Sequence, residues 1–183
     1  KLNGADFAIG TGRVLSANTV EVTNAEGQKE VFKAEKAVVI ATGSQTIEIP
    51  TFKFDGRQII GAREAVSLRE IPKRLLVIGG GIIGLELGMV YQKFGSELTV
   101  LEALPQILTG VDPDCTKIVE RRILKHKGVI PTGAKALGYE KMKDGSLSVA
   151  FEKDGKRETV VCDVVLVAVG MRPTAKNLGL EDI

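Results

Sequence analysis

The spacing of apolar positions in residues 74–102 changes twice. Leu75-Leu76-Val77-Ile78 is a continuous apolar run, as expected of a strand covered on both faces. Gly79-Gly80-Gly81-Ile82-Ile83-Gly84 follows. The pattern then predicts a helix over about 81–94, with Ile82, Leu85, Met89 and Val90 on its apolar face. Gly84 and Gly88 allow that helix to pack closely, and Gly95 ends it. Leu98-Thr99-Val100-Leu101 returns to strand and stops at Glu102.

The flanks follow the same logic. Residues 13–22 alternate loosely, Asn24-Ala25-Glu26-Gly27 signals a turn, and residues 31–34 resume a strand. Residues 36–44 form an apolar run ending in small residues, which predicts a strand buried on both faces. Pro50 and Pro72 punctuate a connector over 45–73, with a short helix at 62–68. Asp112 caps a further helix with Pro113 at its first position, running to Lys127 and stopped by Gly128. Val129-Ile130 begins a third strand. Residues 134–162 read as a meander with turns at Lys143-Asp144-Gly145 and Lys153-Asp154-Gly155. A last buried strand covers 163–169 and ends at Gly170.

Strand, glycine turn, helix, strand and acidic residue are the parts that hold a dinucleotide. Gly79 permits the tight turn, Gly81 lets a pyrophosphate approach the backbone, and Gly84 lets helix and strand pack. The helix N-terminus offers free N–H groups and partial positive charge to that pyrophosphate. Glu102, 23 positions after Gly79, ends the second strand, where a carboxylate accepts hydrogen bonds from both hydroxyls of an adenosine ribose. It repels a 2′-phosphate, so the cofactor expected is NAD rather than NADP.

Composition narrows the picture. The chain has 183 residues, 44% hydrophobic and 26% charged, as in ordinary globular proteins. A net charge of +2 gives no electrostatic case for nucleic acid. No apolar run approaches the ~20 residues of a membrane span. Cys115 and Cys162 lie 47 positions apart and suggest neither a disulfide framework nor a metal site; both read as packed free thiols. His126 reads as a surface cation at a helix C-terminus. The chain starts at Lys1 without a signal-peptide pattern, and it is expected to be a piece of a longer protein.

The strands at 38–43 and 166–170 look alike and bracket the glycine-turn unit. Together with residues 77–88, 94–102, Val169-Gly170-Met171-Arg172-Pro173 and Asn177-Leu178-Gly179-Leu180-Glu181, this order resembles the flavoprotein pyridine nucleotide–disulfide oxidoreductases. In that family an NAD(P) domain is inserted into an FAD domain. The resemblance implies an α/β fold: a Rossmann-like βαβαβ parallel sheet with a β-meander, plus part of the flavin domain's meander. It implies a flavin-domain remnant over 1–46, a connector over 47–73, an NAD-binding domain over 74–170, and a return toward the flavin domain over 171–183.

Residue by residue, the resemblance places Gly79, Gly80, Gly81, Ile82, Ile83, Gly84 and Glu86 at the NAD site and Glu102 on its ribose. Ala136 would meet adenine through its backbone, and Gly170 would lie by the nicotinamide. Thr42, Gly43 and Ser44 match a strand end touching FAD, and Gly12 a glycine near the FAD adenine. Glu86 would pair with a lysine that lies outside these residues. Met171 stands where the family more often has arginine.

The family's flavin glycine turn, redox cysteine pair and C-terminal histidine–glutamate pair have no counterpart in the chain. No catalytic or metal-binding residue is therefore assigned, and the isolated chain is expected to be inactive. Within the family the motifs fit best the members that reoxidise protein-bound dihydrolipoamide, passing electrons through a disulfide and FAD to NAD. That implies as partner a lipoyl-bearing protein of a 2-oxoacid dehydrogenase complex. It also implies a homodimer in a bacterial cytoplasm or, alternatively, a mitochondrial matrix. A mercuric reductase, an NADH oxidase, a transhydrogenase or a non-catalytic NAD-binding module are the alternatives.

Overall fold

In the computed structural model, which describes residues 4–183, the chain divides into two compact units. One comprises the residues up to Gln45 together with Pro173–Ile183; the other is Thr46–Arg172.

The first unit holds an antiparallel meander, β1 (Thr11–Ser16), β2 (Thr19–Thr23) and β3 (Lys29–Lys33), paired in sequence order. What the sequence suggests as one extended stretch over 13–22 is a hairpin that turns at residues 17–18. The second turn is built by Asn24, whose Oδ1 accepts from the N–H groups of Glu26 and Gln28. Val14 N–H donates to the Leu178 carbonyl (2.7 Å), and Arg13 pairs with Asp182 beside the closing 3-10 turn, Leu180–Asp182.

The strand expected over 36–44 does not form. Pairing begins only at β4 (Ser44–Thr46), and Val39 is 84% exposed and Ile40 47%. A strand buried on both faces needs neighbours that accept its backbone groups and cover its side chains. Among the described residues no strand lies alongside residues 36–43.

The second unit is three layers deep. Its elements are β5 (Ile59–Ile60), α1 (Ala62–Ala65), β6 (Arg74–Ile78), α2 (Ile82–Lys93), β7 (Glu97–Leu101), α3 (Pro113–Lys125), β8 (Ala134–Lys141), β9 (Leu147–Lys153), β10 (Lys156–Cys162) and β11 (Val164–Val167). A last short strand, β12 (Met171–Pro173), pairs with β4. The central sheet has the order β5-β11-β6-β7, all parallel. The third strand expected at 129–130 reduces to single parallel bridges of Val129 to Thr99 and Thr132 to Glu102.

Alternation along each strand sorts side chains between the two faces. Leu75, Val77, Leu98, Val100 and Leu166 enter a core with Leu85 and Tyr91 of α2 and Ile123 of α3. Leu76, Ile78, Leu101, Val165 and Val167 enter a second core with Leu147, Val149 and Phe151 of the β8–β9–β10 meander. Each fully buried aliphatic contributes about 1.5–3 kcal/mol relative to exposure. This is why β6 reads as an unbroken apolar run: both faces are covered.

Three further expectations are adjusted. The buried positions of α2 are Gly84, Leu85, Gly88 and Tyr91, while Ile82 (62% exposed) and Val90 (44%) face outward. The glycines carry the close contact: a Cβ on Gly88 would lie 3.1 Å from Leu98 Cδ1. Helix α3 ends at Lys125, and the left-handed residue beyond it is Lys127 (φ 63°) rather than Gly128. Gly128 is required for space, because a Cβ there would lie 2.5 Å from Ile123 Cγ2. Residues 45–73 are more than a connector, since Ile59 and Ile60 form the edge strand of the parallel sheet.

Candidate functional site

The C-terminal ends of β6, β7 and β11 open onto a cleft of about 790 Å³ within the second unit. Carboxyl ends of parallel strands are where α/β sheets bind ligands, and this volume lies in the range of small-molecule and cofactor sites. The floor is the glycine turn, Gly79 to Ile83; Ala134, Lys135 and Ala136 close one side, and Ala168, Val169, Gly170 and Met171 another.

Local sterics explain the turn. Gly79 sits at φ 107°, and a Cβ there would lie 2.5 Å from the Ala168 carbonyl oxygen. Its N–H donates to the Leu101 carbonyl (2.9 Å), bending the chain out of β6. Gly84 is packed so tightly that a Cβ would lie 2.4 Å from the Gly79 carbonyl oxygen. Gly81 contrasts with both: a Cβ there meets nothing within 4 Å. The protein does not need that position to be glycine, so the cradle is open for a group arriving from the cleft. Gly81 also caps α2 with no side chain, so the first amides of the helix are left for a ligand.

Glu102 lines the same cleft at the end of β7. Its Oε2 accepts from Gly80 N–H (2.6 Å) and its Oε1 from Leu104 N–H (2.8 Å). A carboxylate, an open helix N-terminus and an apolar wall thus share one cavity. These residues fit a dinucleotide: phosphates at the N-terminus of α2, a ribose at the carboxylate.

Of the residues singled out from sequence, the cleft gathers Gly79, Gly80, Gly81, Ile82, Ile83, Glu102, Ala136 and Gly170. Gly84 lies beneath it as the helix–strand contact, and Glu86 is exposed on α2 outside its lining. Thr42, Gly43, Ser44 and Gly12 belong to the first unit. There Thr42 Oγ1 donates to the Thr174 carbonyl, the Gly43 carbonyl accepts from Thr174 N–H, and Gly12 pairs with Val22. Sequence reasoning did not find Thr46, Ile49, Ala62, Leu104, Leu108, Thr109 or Val111, which also line the cleft. Ala168 and Val169 were findable, since they follow directly on a parallel strand's end.

The two cysteines differ. Cys162 is buried, and burial pushes its thiol up to about 12. Cys115 is exposed on α3, against the expectation that both are packed: the buried positions of that helix are Thr116 and Ile123, and Cys115 in its first turn lies outside them. Among the described residues no cluster of three metal-ligating side chains exists, and no helix is long and apolar enough to cross a membrane.

Residues 2–183 match the family described as pyridine nucleotide-disulphide oxidoreductase. The chain is 44% identical over its whole length to a dihydrolipoyl dehydrogenase of Geobacillus stearothermophilus, covering 38% of that protein. It is 45% identical over its whole length to a dihydrolipoamide dehydrogenase of Chaetomium thermophilum, covering 36% of it. The chain therefore spans little more than a third of the length of these relatives. Among solved structures, LpdA from Mycobacterium tuberculosis superposes with a TM-score of 0.82 at 25% identity, over 95% of this chain and 38% of that one. The HOCl-induced flavoprotein disulfide reductase RclA from Escherichia coli gives 0.75 at 23% identity over 94% of this chain and 38% of that one, a likeness of fold. With the parallel sheet, the glycine turn and a match running from residue 2 to residue 183, the chain belongs to the pyridine nucleotide-disulphide oxidoreductase family.

Proposed function

We propose that residues 46–172 are the NAD-binding domain of a dihydrolipoyl dehydrogenase, and that the residues before and after them are part of its flavin domain. The observation that carries the reading is Glu102, held by two backbone N–H donors at the rim of the same cleft that contains the open N-terminus of α2. A carboxylate there accepts from a ribose diol and repels a 2′-phosphate, which selects NAD over NADP. The amides at the start of α2 would hold the pyrophosphate, and Ala136 and Gly170 would border the adenine and nicotinamide ends.

In this reading NAD supplies the hydride acceptor, and FAD the relay from a dithiol, when they are bound. The part played by this chain is to bind the dinucleotide and fix its direction across the sheet edge. The whole protein would oxidise dihydrolipoamide carried on a lipoyl-bearing protein of a 2-oxoacid dehydrogenase complex, as a homodimer. Relatives at 42–45% identity with dihydrolipoyl or dihydrolipoamide dehydrogenase as their names support that assignment. Bacterial relatives at 42–44% identity and others named mitochondrial at 36–38% are both found, and a bacterial cytoplasm or a mitochondrial matrix suits the reading. Thr42, Gly43, Ser44 and Gly12 are assigned to the flavin side, and Glu86, exposed on α2, to an ion pair with a lysine that these residues do not include.

Calorimetric titration tests the cofactor reading. The chain is expected to bind NADH, to bind NADPH more weakly, and to purify without bound flavin. Glu102→Ala is expected to lose roughly 1–3 kcal/mol of NADH binding, the scale of hydrogen bonds to a charged group. Equal NADH and NADPH affinities that Glu102→Ala leaves unchanged would remove the assignment.

A further inference from the structure

The loop after β7, residues 103–111, is tied to the glycine turn directly through Leu108 and indirectly through the Glu102 carboxylate. Leu104 N–H and Gly80 N–H each donate to one oxygen of Glu102, at 2.8 and 2.6 Å. Leu108 N–H donates to the Gly80 carbonyl at 2.8 Å. Between these tethers Ile107 is fully buried in the helix-side core. Its Cγ2 lies 2.6 Å from where a Cβ on Gly80 would stand, and Glu102 Oε2 lies 3.2 Å from the same point. The dinucleotide pattern asks for glycine at positions 79, 81 and 84 and is indifferent to position 80. Here the Ile107 methyl group takes the space against Gly80.

The next residue, Leu108, is held at φ 51°, a left-handed conformation that leucine leaves unless its surroundings fix it. Leu108, Thr109 and Val111 then form part of the cleft wall. One buried side chain, Ile107, therefore sits next in sequence to the strained residue and against Gly80, one of the two donors to the Glu102 carboxylate.

We propose that Ile107 is a positioning residue for cofactor choice: it pins the 103–111 loop beneath the glycine turn and so fixes Glu102 against the adenosine ribose. The inference rests on the reading that Glu102 takes that ribose. Shortening Ile107 releases the loop, Leu108 relaxes, and the amides that aim the carboxylate move. NADH loses its ribose hydrogen bonds, and NADPH is repelled by a less focused charge. Sites of this kind need placement within about 0.5 Å.

The test is the ratio of NADPH to NADH dissociation constants for the 183-residue chain, read by cofactor fluorescence alongside thermal unfolding. Ile107→Ala is expected to weaken NADH about 10-fold and change NADPH less than about 2-fold, so that the ratio contracts at least about 5-fold. Ile107→Val keeps the β-branch and is expected to hold the ratio within about 2-fold. Should Ile107→Ala not fold, Ile107→Leu keeps the volume but moves the branch away from Gly80, and it is expected to contract the ratio in the same direction. NADH and NADPH weakening together, with the ratio intact, would mean that Ile107 serves stability alone and would overturn the proposal. A wild-type chain that binds NADH and NADPH alike would instead overturn the reading beneath it.

Discussion

Burial decides the fate of the two thiols. Cys162 ends β10 inside the meander-side core, where a thiolate has no solvent to stabilise it; Cys115 stands in the first turn of α3 with solvent access. Native chain at pH 8 is expected to release one equivalent of chromophore with a disulfide reagent such as Ellman's, from Cys115, and the second only on unfolding. Two equivalents released at equal rates from native protein would contradict the packing described. Residue roles were legible where a local rule sets them. Gly79 and Gly84 are dictated by their immediate surroundings, and Glu102 by its place at a strand end. Ile107 was not legible, because its partner Gly80 lies 27 positions earlier and no periodicity links them. The same holds for Leu108, whose left-handed backbone is imposed by the loop's tethers rather than by its residue type.

Parallel strands need registration, and β6 and β11 obtain it from a side-chain pair at their starts. Arg74 Nη2 and Nε reach the two oxygens of Asp163 at 2.6 and 3.3 Å, while Arg74 N–H donates to the same carboxylate and Asp163 N–H donates to the Arg74 carbonyl. Hydrogen bonding from Arg74 holds the Asp163 carboxyl below its ordinary value of 3.8. A lowered folded-state pKa contributes stability above the unfolded value, and that contribution is lost as pH falls through the folded one. Both side chains are about a third exposed (35% and 30%), so screening trims the effect. Asp163→Asn is expected to cost about 1–2 kcal/mol at pH 7 in urea unfolding, with the gap to wild type closing below about pH 4. A gap of constant size from pH 7 to pH 3 would show that the charge of the pair does not matter. At this scale α2, α3, β6 and the meander were readable from period and caps. The edge strand Ile59–Ile60 was not: two residues carry no period, and β11 recruits them from across the chain. The reverse error, at residues 36–44, has the same origin. Apolarity states that a segment suits burial, and only a neighbour supplies it.

The two units differ in how completely they bury their apolar residues. The second holds two continuous cores on either side of one parallel sheet and contains the whole cleft. In the first, Phe7, Ile9 and Val39 are almost fully exposed. The fold class was legible because alternating strand and helix patterns around a glycine turn admit few topologies. The cleft's outer wall was not, since it is assembled from the 103–111 loop and the start of the second unit. The central claim is that this cleft takes NAD with its pyrophosphate on the N-terminus of α2 and its adenosine ribose on Glu102. The most direct measurement is a crystal structure of the chain grown with NADH. The account predicts phosphate oxygens within hydrogen-bond distance of backbone amides among Gly81, Ile82 and Ile83, both adenosine ribose hydroxyls on the Glu102 carboxylate, and the nicotinamide toward Gly170. A dinucleotide bound with its adenosine ribose away from Glu102, or a cleft left empty at saturating NADH, would contradict it.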